Sequence, residues 1–268
     1  MTTEYGLLGP DDPPVFEIHN ADGATPLLLI CDHASRAVPA CLNQLGLEPH
    51  VYDLHVAWDI GAAHVTRMMA DLLDAPAVMA GYSRLLIDLN RAPGHPQSIP
   101  EISDGIVIPG NLDLTEEDKT ARAETFHAPY HNAVTNQLAQ MWRSGPPPAL
   151  FSVHSFTPSF NGEDRKWDIG VLWNRDLRLP VPLIRKLRET GEKDGRPLFV
   201  GDNEPYSGRE LAYSIDLHAG AAGLANCAVE IRQDHLETTD EAAHWADMLS
   251  DALREIMARE NLHKVQYF

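Results

Sequence analysis

Short apolar runs alternate along the chain with longer segments whose apolar residues recur at helical spacing. Short runs rich in Leu, Ile and Val are typical of strands buried on both faces, and they predict strands at residues 26–31, 77–80, 84–89, 149–154, 169–173 and 225–231. The helical spacing predicts helices at residues 51–73, 115–142, 181–190 and 240–259. This alternation indicates an α/β fold in which helices cover both faces of a largely parallel sheet.

The length and composition are typical of one globular domain. The 268 residues are 44% hydrophobic, which is enough for a sizeable core, and we expect a single domain over residues 1–268. The longest apolar runs are far shorter than the roughly 20 residues that cross a bilayer. The first residues also lack the basic and apolar pattern of a secretory signal. We therefore expect a cytoplasmic protein that has no membrane partner.

The net charge argues against one class of partner. A formal charge of −18 repels phosphate backbones, and the 21 Lys and Arg residues form no basic run. We therefore expect no nucleic-acid binding. Any site for an anion must be locally positive. The sequence does not indicate an oligomeric state.

The segment SRLLIDLNRAP, at residues 83–93, carries an apolar run to the polar pair Asn90-Arg91. Arginine offers a planar fork of donors that matches a carboxylate in two parallel hydrogen bonds, and the neighbouring amide adds a donor without charge. The pair predicts a clamp for a substrate carboxylate, with a surface ion pair of Arg91 as the simpler alternative. The Pro- and Gly-rich loop at residues 92–114 is expected to fold over this clamp.

Polar side chains follow several of the predicted strands. Ligands of open α/β sheets bind beyond the carboxyl ends of the strands, so these side chains are expected to converge. The set comprises His33, Arg36, His154, Ser155, Glu230 and Arg232. Two imidazoles, a carboxylate and several arginines are the components of a metallohydrolase that cleaves an amide beside a carboxylate.

Imidazole and carboxylate groups are the ligands of catalytic zinc, which lowers the pKa of bound water towards about 7. We predict His33 and His154 as metal ligands and zinc as the metal, although manganese, iron and cobalt accept the same donors. Asp59 is the preferred third ligand, because Gly61 allows close backbone approach. His55, four residues earlier on the predicted helix, is the alternative, and the two side chains could instead form a simple pair.

Three further side chains are predicted to act on the substrate. Glu230 would accept a proton from the attacking water and return it to the leaving nitrogen. A salt bridge from Glu230 to Arg232 or Arg36 is the structural alternative. Ser155 and Tyr206 are expected to contact the substrate, and the absence of a GxSxG motif argues against a serine nucleophile.

Six strings occur in order over residues 29–234: LICDHASRAVP, HVAWDIGA, GYSRLLIDLNRAP, SVHSFTP, NEPYS and VEIRQD. Together they resemble the N-formylglutamate amidohydrolase family. The resemblance implies a three-layer α/β fold related to the zinc carboxypeptidases and aspartoacylases, with a mixed, mostly parallel central sheet flanked by helices. It also implies hydrolysis of N-formyl-L-glutamate to formate and L-glutamate in histidine catabolism.

The resemblance also implies roles for single residues. These are metal ligation by His33 and His154, carboxylate binding by Asn90 and Arg91, general-base catalysis by Glu230, and polarisation of the scissile carbonyl by Arg84. One position departs from the carboxypeptidase-type HxxE pattern, which would need Glu where this chain has Arg36. The carboxylate ligand must then come from elsewhere, and Asp59 is inferred.

Other substrates and functions fit the same residues. N-formylglutamate has two carboxylates, and the second would need Arg36, Arg84, Arg209 or Arg232; a related N-acyl amino acid is a further candidate substrate. A carboxypeptidase-like amidase would act on a peptide or cell-wall fragment and would need an open groove. A carboxylate-binding or sensing protein would keep the fold without the metal, which the missing HxxE glutamate supports.

Overall fold

The computed structural model describes residues 6–160, 162–193 and 197–268. The strands within these residues are β1 (Phe16–His19), β2 (Leu27–Cys31), β3 (Ala77–Ala80), β4 (Ile102–Ser103), β5 (Ile106–Val107), β6 (Ala149–Phe156), β7 (Ser159–Phe160), β8 (Glu163–Asp164), β9 (Ile169–Leu172), β10 (Val200–Asp202) and β11 (Asn226–Arg232). The helices are α1 (Ala62–Leu73), α2 (Glu116–Arg122), α3 (Ala128–Ser144), α4 (Pro180–Lys193), α5 (Gly208–Leu211), α6 (Tyr213–Ile215) and α7 (Thr239–Met257).

Seven of the described strands form one central sheet, in the order β1-β3-β2-β6-β11-β9-β10. Strands β3, β2, β6 and β11 are parallel to one another. Strand β1 is antiparallel to β3, and the parallel pair β9–β10 is antiparallel to β11. The predicted mixed, mostly parallel sheet is therefore confirmed. Two short hairpins, β4–β5 and β7–β8, lie outside it.

Hydrophobic cores lie on both faces of the sheet, because successive residues of a strand point to opposite faces. Leu27 and Leu29 of β2 belong to the core that contains the buried faces of α1, α4 and α7. Leu28 and Ile30 of the same strand belong to a second core, together with Tyr130 of α3. The result is three layers, as predicted. None of the described helices is both long and apolar enough to span a membrane.

Residues 84–89 do not form the predicted strand. They make turns, although Leu85 and Leu86 are fully buried. Local hydrogen bonds replace strand pairing, since the Leu85 amide donates to Ser83 Oγ and the Leu86 amide donates to the Ser83 carbonyl. The prediction was wrong because a short apolar run reports burial and does not by itself report strand pairing.

The predicted helix over residues 51–73 was also wrong in its first half. Helix α1 begins only at Ala62, after a 3-10 turn at Pro49–Asp53 and irregular backbone. Gly61 has a φ of 80°, which interrupts any helix through this region. Asp59 therefore lies in a loop before α1, and its spacing from His55 does not place the two on one helical face. The predicted helix over residues 115–142 is in fact α2 and α3, joined by a π-helical turn at Ala123–His127.

Two glycines let the backbone of a loop pack against the sheet. A Cβ atom added at Gly170 of β9, or at Gly201 of β10, would clash with the carbonyl oxygen of Glu204. Because Gly170 and Gly201 have no side chains, β9 and β10 can pack directly against the turn that leads to Tyr206. Tyr206 lines a cavity that is described below.

We predict that Gly170→Ala lowers the free energy of unfolding by about 1–3 kcal/mol, because the added methyl group forces the Glu204 turn away from the sheet. Urea denaturation of the purified protein measures this change. Gly145→Ala is the matched control, because the nearest atom to its added Cβ, the Met141 carbonyl oxygen, is 3.7 Å away. Equal stability of the two variants would contradict the packing argument.

Candidate active site

Two histidines meet at the carboxyl edge of the central sheet. His33 follows the end of β2, and His154 lies near the end of the neighbouring parallel strand β6. Both side chains are buried, and their ring centres are 5.1 Å apart. Parallel pairing thus brings together two imidazoles that are far apart in the chain.

Asp59 joins the two histidines. Its Oδ2 is 3.3 Å from His33 Nδ1 and 2.7 Å from His154 Nδ1. Its backbone amide donates to the His33 carbonyl, which fastens the loop before α1 to the end of β2. One ligand atom from each of the three buried residues lies within 4.8 Å of the others. The trio can therefore hold a metal ion, with the imidazole and carboxylate donors that catalytic zinc uses.

The outer ring nitrogen of each histidine faces a further carboxylate. His33 Nε2 is 2.7 Å from Asp88 Oδ1. His154 Nε2 is 3.4 Å from Asp32 Oδ2 and 2.9 Å from Ser152 Oγ. A carboxylate in this position favours a proton on Nε2, so Nδ1, which faces Asp59 Oδ2 in both rings, is the nitrogen that can bind a metal. The surroundings of both rings thus suit metal ligation.

Asp32 is itself fixed by two hydroxyl groups. The hydroxyls of Tyr130 and Ser214 donate to its Oδ1, at 2.8 and 3.0 Å. Neither Asp32 nor Asp88 is among the residues predicted to form the site. Their positions in the sequence could have indicated both residues, because each lies within two residues of a predicted site residue.

The buried charges compensate one another. Burial opposes ionisation of Asp59, but the imidazoles of His33 and His154 hold its pKa below the ordinary value. Burial likewise opposes ionisation of Asp32, and His154 nevertheless lowers its pKa to about 2. The pKa of His154 rises well above its usual value because Asp32 and Asp59 outweigh the cost of burying its charge. The centre is thus a balanced set of buried charges.

Arg84 bridges the two carboxylates that contact His33. Its guanidinium is 2.8 Å from Asp88 Oδ2 and 3.4 Å from Asp59 Oδ1. Burial opposes its charge, but these carboxylates raise its pKa above the ordinary value. Arg84 is therefore a fixed cation beside the trio.

Glu230 lies on β11, where it is the register partner of His154 on β6. Register partners on parallel neighbours project from the same face of a sheet. Burial raises the pKa of Glu230 to about 7, and Asp59 also raises it, whereas His154, His33 and Arg84 lower it. A carboxyl group of this acidity can both accept and donate a proton near neutral pH.

A cavity of about 280 Å³ adjoins this centre. Arg84 and Asp88 line the cavity and also contact the trio, so these two side chains lie between the cavity and the candidate metal site. Gln97, Pro100 and residues 102–104 form one wall. The Pro- and Gly-rich loop therefore does pack over this site.

The predicted clamp residues have different surroundings. Arg91 lines the cavity; its Nη1 donates to the Asn90 carbonyl, and its Nε has no partner among the described residues. The Asn90 side chain is held at both ends, because its amide donates to the Leu211 carbonyl and its oxygen accepts from the Ser214 amide. Arg91 thus faces the cavity, while Asn90 ties the clamp segment to α5 and α6.

The hydroxyl of Ser155 is engaged within the protein, donating to the Ile60 carbonyl at 2.7 Å. The backbone amide of Ser155 donates to Asp59 Oδ2. Both bonds position the Asp59 loop. Tyr206, in contrast, lines the cavity. His55 also lines the cavity, where it pairs with Asp104.

Two of the arginines predicted to bind substrate are paired elsewhere. Arg36 pairs with Asp53 and lies over the ring of Trp58. Arg232 pairs with Asp234 at 2.8 Å and lies 3.7 Å from Asp168. Neither arginine is among the residues that line the cavity beside the trio.

Three histidines that were not among the predicted site residues lie against the clamp segment, residues 89–91. His131 Nε2 donates to the Leu89 carbonyl and His127 Nε2 donates to the Arg91 carbonyl, at 2.9 and 3.0 Å. His131 Nδ1 in turn lies 2.7 Å from His218 Nε2. Burial lowers the pKa of both His131 and His218 to about 4, so both rings are neutral at physiological pH. The FHAPYH string contains two of these residues, but no spacing rule relates it to the clamp.

Comparison with solved structures supports the fold. The Agrobacterium tumefaciens gene product Atu2144 is 32% identical, with a TM-score of 0.88 over 94% of this chain and 98% of that one. The N-formylglutamate amidohydrolase of Ralstonia eutropha JMP134 is 18% identical and shares the fold, with a TM-score of 0.63 over 90% of this chain and 96% of that one. A search of curated proteins gave no significant match.

The sequence resemblance is confirmed by a family model. The model described as N-formylglutamate amidohydrolase matches residues 25–236. That range contains every residue that lines the cavity, the buried trio and Glu230. Because the match covers most of the chain and includes all of these groups, this protein belongs to the N-formylglutamate amidohydrolase family of enzymes.

Proposed function

We propose that this protein is a metal-dependent hydrolase that cleaves N-formyl-L-glutamate, or a closely related N-acyl amino acid, to the free amino acid and formate or the corresponding acid. The observation that carries the proposal is the buried group of His33, Asp59 and His154, which contacts Arg84 and Asp88 in the wall of an arginine-lined cavity. Gln97, Pro100 and residues 102–104 wall the cavity on one side, which favours a small substrate over a peptide chain in an open groove.

The donor set fits a divalent metal, and zinc is the metal that best suits two imidazoles and one carboxylate. His33 and His154 would bind it through Nδ1, and Asp59 through Oδ2. When bound, the metal supplies Lewis acidity and makes a water molecule acidic near neutral pH. The outer carboxylates of Asp32 and Asp88 keep both rings oriented for this role.

Glu230 performs the proton transfers. Its carboxylate takes a proton from the water that attacks the acyl carbon, and it returns that proton to the nitrogen as the carbon–nitrogen bond breaks. Since its pKa is about 7, neither transfer requires a large change in free energy at neutral pH.

Two arginines act on the substrate. Arg84 stabilises the negative charge that develops on the carbonyl oxygen, and its pairs with Asp59 and Asp88 fix its position before the reaction. Arg91, whose side chain lines the cavity, binds the α-carboxylate through its guanidinium. Together they would hold the amide next to the trio and Glu230.

The test of the proposed function is a substrate panel with metal analysis. We expect release of formate from N-formyl-L-glutamate, a stoichiometric bound metal, and loss of activity when a chelator removes that metal. Restoration of turnover by added zinc is the control for irreversible damage. A metal-free protein that binds L-glutamate and releases no formate would support the sensing alternative and contradict the proposal.

Replacing the predicted base should separate catalysis from metal binding. We expect Glu230→Gln to lower kcat by at least about 100-fold, because the amide cannot accept the proton. The bound metal, measured by elemental analysis, should remain at the wild-type level. A variant with wild-type turnover would rule out this role for Glu230.

Removing one predicted ligand should deplete the metal. We expect His154→Ala to bind much less metal after dialysis than the wild type, because an imidazole donor is lost. His263→Ala is the matched control, since that ring bonds only to the carbonyls of Pro147 and Met257 among the described residues. Full metal occupancy in His154→Ala would exclude His154 as a ligand.

A further inference from the structure

Arg165, in the loop between β8 and β9, has surroundings that the reaction described above does not use. Its guanidinium carbon lies 4.8 Å from the ring centres of both Phe160 and Tyr206, and 5.6 Å from that of Phe156. Its Nη1 donates to Tyr206 Oη at 2.7 Å. Three aromatic rings and this hydrogen bond hold the guanidinium in place, so little conformational entropy would be lost when it binds a ligand.

Arg165 forms no ion pair with any carboxylate of the described residues. Besides the Tyr206 hydroxyl, Nη1 reaches only the Thr157 carbonyl, at 3.5 Å. The Nε and Nη2 groups form no hydrogen bond with the described part of the chain. An arginine held by aromatic faces, with one edge unpaired within the protein, is suited to bind a planar anion.

The other arginines considered for a second carboxylate are already engaged. Arg84 pairs with the carboxylates beside the trio. Arg36 and Arg232 pair with acidic residues away from the cavity. Arg209 is exposed and lies over the ring of Trp173. None of these four guanidinium groups combines a free edge with a place beside the cavity.

Arg165 is joined to the cavity through its aromatic neighbours. Phe160 and Tyr206 both contact Arg165 and line the same cavity as Arg84 and Arg91. The charge of Arg165 acts on the Tyr206 hydroxyl together with the charges of Arg84 and Glu230. Arg165 therefore belongs to the same local electrostatic environment as the proposed catalytic groups.

We infer that Arg165 binds the side-chain carboxylate of a dicarboxylic N-acyl amino acid and thereby selects acidic over neutral substrates. This inference rests on the proposed function, in which Arg91 binds the α-carboxylate. Arg91 lines the cavity, and Arg165 packs against Phe160 and Tyr206, which also line it. Neither guanidinium forms an ion pair with a carboxylate of the described chain, and the substrate has two carboxylates. On a protein of net charge −18, two such cations supply the local positive charge that a dianion needs.

The test compares two substrates of equal size, N-formyl-L-glutamate and N-formyl-L-glutamine. We expect Arg165→Gln to lower kcat/KM for the glutamate derivative by about 10- to 100-fold, the effect of losing a charge-assisted hydrogen-bonded contact. For the glutamine derivative we expect kcat/KM to change by less than about 3-fold, because its neutral side chain forms no ion pair with Arg165 that the substitution could remove.

Two variants serve as controls. Arg209→Gln removes another arginine stacked on an aromatic ring and should leave both values of kcat/KM unchanged. Arg91→Lys removes the planar fork at the α-carboxylate and should lower kcat/KM for both substrates. If Arg165→Gln lowers both values equally, or keeps the wild-type preference for glutamate, Arg165 is not the selecting residue and the inference is overturned.

Failure of the proposed function can be told apart from failure of this inference. If the metal-loaded wild type hydrolyses neither substrate, the proposed reaction is wrong, and calorimetric binding of L-glutamate and L-glutamine then tests Arg165 directly. Selective binding of L-glutamate by the wild type, lost in Arg165→Gln, would support the inference without the reaction. Equal affinity of the wild type for the two amino acids would overturn it.

Discussion

One carboxylate oxygen, Asp59 Oδ2, contacts both imidazoles at the edge of the sheet, and the rest of the site is arranged around this interaction. A buried carboxylate is costly unless it is surrounded by donors and opposite charges. The structure supplies these from three directions: the two histidines, the Arg84 guanidinium and the Ser155 amide. The loop before α1 must therefore stay in contact with both β2 and β6 for the centre to exist.

The same balance explains how an acidic protein can present a site for an anion. Three buried carboxylates, those of Asp32, Asp59 and Asp88, contact the histidines, and Arg84 is the one arginine of the described chain that pairs with two of them. Of the two arginines that line the cavity, Arg84 is paired with acidic groups, whereas Arg91 forms no ion pair with a carboxylate of the described chain. Burial lowers the pKa of His127, and it lowers the pKa of His131 and His218 to about 4. His127 and His131 hold backbone carbonyls of the clamp segment in place, and His218 contacts the His131 ring.

Much of the centre could be predicted from residue position. His33, His154 and Glu230 follow or end buried apolar runs, and parallel strands bring such positions to one edge. Asp59 was preferred because Gly61 permits close approach, although the helix assumed around it is absent. The reading of residues 84–89 as a strand was wrong, since burial and strand pairing leave the same apolar signal over a short run. Asn90 faces backbone groups of α5 and α6, a contact between segments that no local pattern links.

The sequence by itself determined the α/β class, the main strands and helices, and the histidines and glutamate at the strand ends, because periodicity and burial are local properties of the chain. Only the tertiary structure decided which arginines remain free. Arg36 and Arg232 find carboxylates near them, whereas Arg165 meets three aromatic rings from separate segments. The availability of a charged side chain depends on which partners the fold brings within hydrogen-bonding distance, and that information is not contained in any single segment.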